Sequence, residues 1–215
     1  AFLRAVHKHN FTPIPFVGIN TGNLGFFQEI APENIDSFIE NYFQANYSVE
    51  KISLVKAKVY TKKDSIDLYG VNELIVKSIK SKVIHLDVYI DKNHLEKFSG
   101  DGLIVSSPAG STAYNFSSGG SIIHPSLNTL QLTPLSPISS KAYRSLPNSA
   151  VIPGDTTITI APEKRYTNST LIVNDGLEMR YFNVIKIEFS VPKKTINRLI
   201  FDKNTYWNNL KSKFL

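Results

Sequence analysis

Apolar residues recur with two different periods along the chain, and the change falls near residue 50. Before it, Phe2 to His9 reads as the end of a helix. Phe16-Val17-Gly18-Ile19 is a short apolar run between Pro15 and the turn-rich Asn20-Thr21-Gly22-Asn23, which predicts a buried strand. From Pro32 onward, Ile35, Phe38, Ile39, Tyr42 and Phe43 recur at i, i+3, i+4, i+7 and i+8. That is the stripe of an amphipathic helix with proline in its first turn. Helix, strand, loop and helix is the rhythm of an open α/β sheet.

After Val49 the period becomes two. Ile84, Leu86, Val88 and Ile90 alternate with Val83, His85, Asp87 and Tyr89, and Ile185, Ile187, Phe189 and Val191 alternate with Lys186, Glu188 and Ser190. Thr156 to Ile160 and Leu171 to Val173 are strand-like, and Asn174-Asp175-Gly176 has the residues of a tight hairpin turn. The last stretch, Asn204 to Leu215, reads as helix. The expected organisation is α/β plus all-β. Residues 1–49, joined by a terminal helix over 201–215, should form an incomplete Rossmann-like α/β nucleotide-binding domain. Residues 50–200 should form a β-rich, β-sandwich-like domain.

Composition narrows the class. With 42% hydrophobic residues in 215, the chain can bury a sizeable core, which excludes a disordered tail. No run of about 18 apolar residues is present, so no transmembrane helix is expected. The start, Ala1-Phe2-Leu3-Arg4, lacks the pattern of a signal peptide. Without cysteine there is neither a disulfide framework nor a thiolate metal site, and a cytoplasmic protein fits best. Five histidines suggest no metal site, since His7 and His9 point to different faces of a helix. The net charge of +6 is scattered in short pairs such as Lys62-Lys63, so no nucleic-acid footprint and no membrane partner are expected, while a phosphate-bearing small molecule stays open.

The densest unusual stretch is Gly100 to Gly120, GDGLIVSSPAGSTAYNFSSGG. Leu103-Ile104-Val105 is an apolar strand, Ser106 to Gly110 a small-residue turn, and Ser111-Thr112-Ala113-Tyr114 the opening of a short helix. Such an order can present unpaired amides to a phosphate or a nucleobase edge, and Tyr114 offers a ring to stack and a hydroxyl to bond. Taken alone, an ordinary tight turn with Ser111 as helix cap explains it equally well.

The whole string resembles the signature of NAD kinases, which runs GDG, a strand, TPTGSTAY and a Ser-Ala-Gly-Gly-like end. Gly18-Ile19-Asn20 through Leu24-Gly25-Phe26 is similar to that family's GIN-x-G-x-LGF segment, Val71-Asn72-Glu73-Leu74 to its Asn-Glu motif, and Asp175-Gly176 to its late DG element. These motifs stand in register over most of the chain. Ser107 and Ala109 depart from the commoner threonines, although small residues there preserve a tight turn. The family's GGDG motif, with its catalytic aspartate, is expected ahead of Ala1, so the sequence is read as an amino-truncated or partly covered version. No catalytic residue is assigned within it, and Asp101 belongs to the second motif.

The resemblance implies phosphoryl transfer from ATP, or inorganic polyphosphate, to the adenosine-ribose 2′-hydroxyl of NAD, giving NADP, with Mg²⁺ or Mn²⁺ accompanying the donor. It implies NAD binding by Phe26, Asn72, Glu73, Asp101, Ala109, Thr112, Ala113, Tyr114, Ser117, Ser136, Asp175 and Gly176. Asn72 is chemically suited to an adenine edge and Glu73 to ribose hydroxyls. The resemblance also implies a homo-oligomer, dimer or tetramer. The alternatives are a lipid kinase of the related fold, acting on diacylglycerol or sphingosine, and a non-catalytic nucleotide-binding module.

Overall fold

The alternating segments pair almost entirely into antiparallel sheets. A computed structural model describes residues 1–22, 26–80, 82–139, 144–202 and 204–214. In chain order its helices are α1 (Phe2–Lys8), α2 (Ile35–Phe43), α3 (Tyr114–Ser117) and α4 (Thr205–Phe214). The strands are β1 (Ser48–Ser53), β2 (Val55–Thr61), β3 (Ser65–Gly70), β4 (Glu73–Ser78), β5 (Ile84–Ile90), β6 (Asn93–Gly100) and β7 (Gly102–Ser106), followed by β8 (Thr129–Leu135), β9 (Ala150–Pro153), β10 (Ile158–Pro162), β11 (Thr170–Asn174), β12 (Leu177–Tyr181), β13 (Val184–Ser190) and β14 (Thr195–Ile200). Two compact units result, one of 1–52 with 195–215 and one of 53–194.

In the larger unit two six-stranded sheets face each other, ordered β3-β2-β13-β10-β5-β6 and β12-β11-β4-β7-β8-β9. One apolar core joins them. Val55, Ala57, Val59, Leu86, Val88, Ile160, Ile187 and Phe189 come from the first sheet, and Leu74, Val76, Leu103, Val105, Leu132 and Ile172 from the second. This is the expected β-sandwich. β5 keeps the strict alternation its sequence shows, with Ile84, Leu86 and Val88 fully buried. β7 is buried along its whole length and β4 at every position but Lys77, so neither strand could reveal a period of two.

Three expectations need correction. In β13 the register slips between Val184 and Lys186, so Val184 turns inward and Ile185 is left 52% exposed, outside the row that Ile187 and Phe189 continue. The bulge inserts one residue, which reverses the facing of what precedes it. Phe16–Ile19 is no continuous buried strand. Phe16 bridges Arg198 and Ile19 bridges Ile30, so the short run divides its backbone bonds between two partners, and Ile19 stays exposed. The helix after Pro32 begins as a 3₁₀ turn, Pro32–Asn34, before α2. No residue of α2 is buried, and Phe43 is 82% exposed. Its stripe is met in part by other aromatics of the same unit, with Phe38 edge-on to Phe201 at 5.2 Å and Tyr42 stacked on Tyr47 at 5.7 Å.

Candidate nucleotide site

The start of β4, the turn after β7 and the β11–β12 hairpin meet at one end of the second sheet. Register places Glu73 opposite Ser106, and Leu74 opposite Asn174. The hairpin loop is Asp175-Gly176, with φ of 47° and 85°, the two left-handed positions that a two-residue type I′ turn requires. Asp175 reaches back across this junction. Its Oδ2 accepts the Val71 amide at 2.8 Å, its Oδ1 accepts those of Asn72 at 2.8 Å and Glu73 at 3.2 Å, and its own amide donates to the Glu73 carbonyl at 3.1 Å.

The turn after β7 is locked to the same segment. Ser107 Oγ donates to the Val71 carbonyl at 2.6 Å, the Ser107 amide donates to the Asn72 carbonyl at 2.9 Å, and the Gly110 amide donates to Ser107 Oγ at 3.1 Å. Gly110 lies so close that a Cβ on it would stand 2.0 Å from the Asn72 carbonyl oxygen. Small residues are therefore required because two backbones touch here.

Asn72 and Glu73 are buried, and among the described residues Asn72 Oδ1 and Glu73 Oε2 have no hydrogen-bond partner. Burial, with a smaller contribution from the Asp175 charge, pushes the Glu73 carboxyl up to about 8. At neutral pH it is mostly protonated and can donate as well as accept.

The helix expected after Ser111 is broken. Ala109–Thr112 is a 3₁₀ turn, Ala113 departs from helical geometry at ψ −138°, and α3 has only four residues. Ser111 caps nothing. Its hydroxyl donates to the Pro108 carbonyl at 2.7 Å and accepts the Ile123 amide at 2.9 Å. The amides of Ser111 and Ala113 are engaged within the turn, which removes two of the donors expected to meet a ligand. Tyr114 remains, 48% exposed, with ring and hydroxyl at the surface. Below it the fully buried Asn115 donates to the Ser111 carbonyl and to Gln131 Oε1 and accepts from Thr133 Oγ1 at 2.7 Å, tying α3 to β8.

The structure thus brings Asn72 and Glu73 together with the Asp175-Gly176 hairpin and the turn that carries Ala109, and Thr112, Ala113, Tyr114 and the exposed Ser117 follow that turn along the chain. Asp101 and Ser136 lie elsewhere. Asp101 is exposed at the β6–β7 junction, its amide donating to Leu135, and Ser136 follows β8 beside it with φ 45°. The length of β7, about 13 Å of extended chain, separates that junction from Ser106. The flanking glycines there serve packing, since a Cβ on Gly102 would stand 2.5 Å from the Val76 carbonyl oxygen. Phe26 belongs to the other unit, where its ring meets Tyr206 edge-on at 5.6 Å and its carbonyl accepts from Asn209. Asn23, Leu24 and Gly25 lie outside the described residues. Sequence reasoning noted Ser107 only as a small turn residue and overlooked Asn115, Gln131 and Thr133. The only signal for them was polar residues inside otherwise apolar strands and turns.

Among the described residues there is no group of three or more His, Asp or Glu that could hold a metal ion, and no helix long and apolar enough to cross a membrane. Residues 71–195 match the profile of the ATP-NAD kinase C-terminal domain. The chain is 51% identical to an NAD kinase of Finegoldia magna over 100% of its own length and 80% of that protein's. It is 36% identical to an NAD kinase of Streptococcus agalactiae, over 98% of this chain and 76% of the relative. Among solved structures, an Archaeoglobus fulgidus NAD kinase in complex with ATP superposes with a TM-score of 0.74 at 25% identity, over 92% of this chain and 74% of that one. Yeast NADH kinase complexed with NADH shares the fold, with a TM-score of 0.80 at 20% identity, over 90% of this chain and 56% of that one.

Proposed function

The chain belongs to the NAD kinase family, and from that membership we propose how its residues share the work. It is a phosphotransferase that converts NAD to NADP. The observation supporting a place for the dinucleotide is the buried pair Asn72 Oδ1 and Glu73 Oε2, both without a partner among the described residues. Leaving such groups unpaired costs about 1–3 kcal/mol each, which a ligand supplying matching groups recovers on binding. In this reading Asn72 meets the adenine edge, Glu73 the ribose hydroxyls, and the exposed Tyr114 ring stacks on the nucleotide. Ala109, Thr112, Ala113 and Ser117 wall the same place, and Asp175 with Gly176 closes it from the hairpin.

Phosphoryl transfer needs chiefly an in-line acceptor and neutralised charge on the donor. Neither carboxyl of the cluster is suited to take the 2′-hydroxyl proton, because three amides occupy Asp175 and Glu73 stays protonated to about pH 8. These residues bind and orient the acceptor. The donor is ATP, or inorganic polyphosphate, and Mg²⁺ or Mn²⁺ comes as its phosphate complex. Among the described residues no cluster of His, Asp or Glu forms a metal site of its own. The protein works in the cytoplasm as a homo-oligomer, for which exposed Leu177, Phe182 and Ile185 along β12–β13 offer apolar surface. The lipid-kinase and non-catalytic readings find no support in the relatives named above.

Calorimetric titration of NAD tests the site. Asn72→Ala should weaken binding by roughly 1–3 kcal/mol while leaving the melting temperature of ligand-free protein nearly unchanged. Unaltered affinity with a large loss of stability would return Asn72 to a purely structural role.

A further inference from the structure

Asp175 is the charged side chain most deeply woven into the cluster, yet its oxygens face backbone. Its carboxylate gathers the amides of three successive residues, Val71, Asn72 and Glu73, from more than a hundred positions away in sequence. Two of the three, Asn72 and Glu73, carry buried side-chain oxygens without a partner among the described residues. We propose that Asp175 is a positioning residue, whose carboxylate fixes the backbone of Val71–Glu73 and so sets where Asn72 and Glu73 meet the dinucleotide. The proposal rests on the NAD-binding reading above and adds how that site keeps its shape.

Three features make the arrangement directional. The type I′ turn fixes Asp175 at the hairpin tip, and its own amide returns a bond to the Glu73 carbonyl, so the contact is reciprocal. The Ser107 hydroxyl and amide hold the carbonyls of Val71 and Asn72 from the opposite side. The segment is therefore clamped between the β11–β12 hairpin on one side and the turn after β7 on the other. A carboxylate accepting several amides is far stronger in that role than a neutral amide oxygen. Asp175 has a second influence, through charge. Among the described residues it is the charged group acting on Glu73, the Ser106–Gly110 turn contributing hydroxyls and amides only, and it adds to burial in keeping Glu73 protonated.

The test uses the full chain with NAD as the probe, and compares Asp175→Asn and Asp175→Ala with wild type. Both variants should speed hydrogen exchange at the amides of Val71, Asn72 and Glu73 and weaken NAD binding, roughly 10–100-fold for Asp175→Ala. Asp175→Asn keeps the size and one acceptor oxygen while removing the charge. The midpoint of the Glu73 titration, followed by carboxyl carbon NMR without ligand, should therefore fall below its wild-type position near 8. That shift reads the lost charge, whereas a smaller loss of NAD affinity for Asp175→Asn than for Asp175→Ala reads the positioning. Unchanged exchange at the three amides, or faster exchange with unchanged NAD affinity, overturns the positioning role. Wild-type protein that binds no NAD overturns the functional reading itself, and that control separates the two failures.

Discussion

Glu73 holds a proton where a surface glutamate would not, and the consequence can be measured as stability. Its carboxyl titrates at about 8 in the folded chain against an ordinary value of 4.5. Between those values the folded state binds a proton that the unfolded chain has released, so this group's contribution to stability falls as pH rises from 4.5 to 8. Glu73→Gln removes the titration and keeps the shape. The variant should match wild type at the acid end of that range and melt at a higher temperature just above its alkaline end. The difference is on the order of 5 kcal/mol at most, at about 1.4 kcal/mol for each tenfold change in proton affinity. Thermal melts across the range check it, and a difference that stays flat with pH would mean that Glu73 ionises normally.

At the scale of elements, the contact between the β7 turn and the start of β4 sets the tightest tolerance. Gly110→Ala would drive a methyl to 2.0 Å from the Asn72 carbonyl oxygen, a distance only backbone movement can relieve. The turn should separate from Val71–Asn72, with NAD affinity falling tenfold or more, about 1.4 kcal/mol. Titration calorimetry on the folded variant measures this. An affinity equal to wild type would show that the turn can shift without disturbing Asn72. What the sequence revealed here follows the range of the interactions. The Asp175-Gly176 hairpin was legible because a type I′ turn is dictated by two adjacent residues. β5 was legible because one of its faces is buried and the other is not. β4 and β7 hid their period because both faces are covered, and the bond of Ser111 to Ile123, twelve residues downstream, left no local sign. Asn72 and Glu73 were singled out by resemblance alone. The grip of Asp175 on them depends on a pairing of distant strands that no local pattern records.

For the larger unit as a whole, stability rests on the single core between its sheets. Phe189, on β13 in the first sheet, is fully buried in the core that the two sheets share. Phe189→Ala should cost about 3–5 kcal/mol of unfolding free energy in denaturant titration. Protein that remains folded should bind NAD as wild type does, because Val71–Glu73 is held by hydrogen bonds from Asp175 and Ser107 rather than by Phe189. A tenfold loss of affinity would show that the two sheets do not respond separately.

β13 lies between β2 and β10, pairing Ala57 with Phe189 and Ile158 with the same residue on its other side. That placement gives the molecule a timetable. While the polypeptide is being made, β2 and β10 are both exposed before their shared neighbour exists. At roughly 5–20 residues per second, β2 waits on the order of 6–25 s for it. Until then each presents an open strand edge, the kind of surface on which incomplete chains associate. Ribosome-stalled chains ending before Val184 should therefore be protease-sensitive and held by chaperones, and chains extended past Ser190 and clear of the exit tunnel should become resistant in one step. Closure of the first sheet waits for the last strand to arrive, which makes synthesis, rather than local folding speed, the clock for this half of the protein.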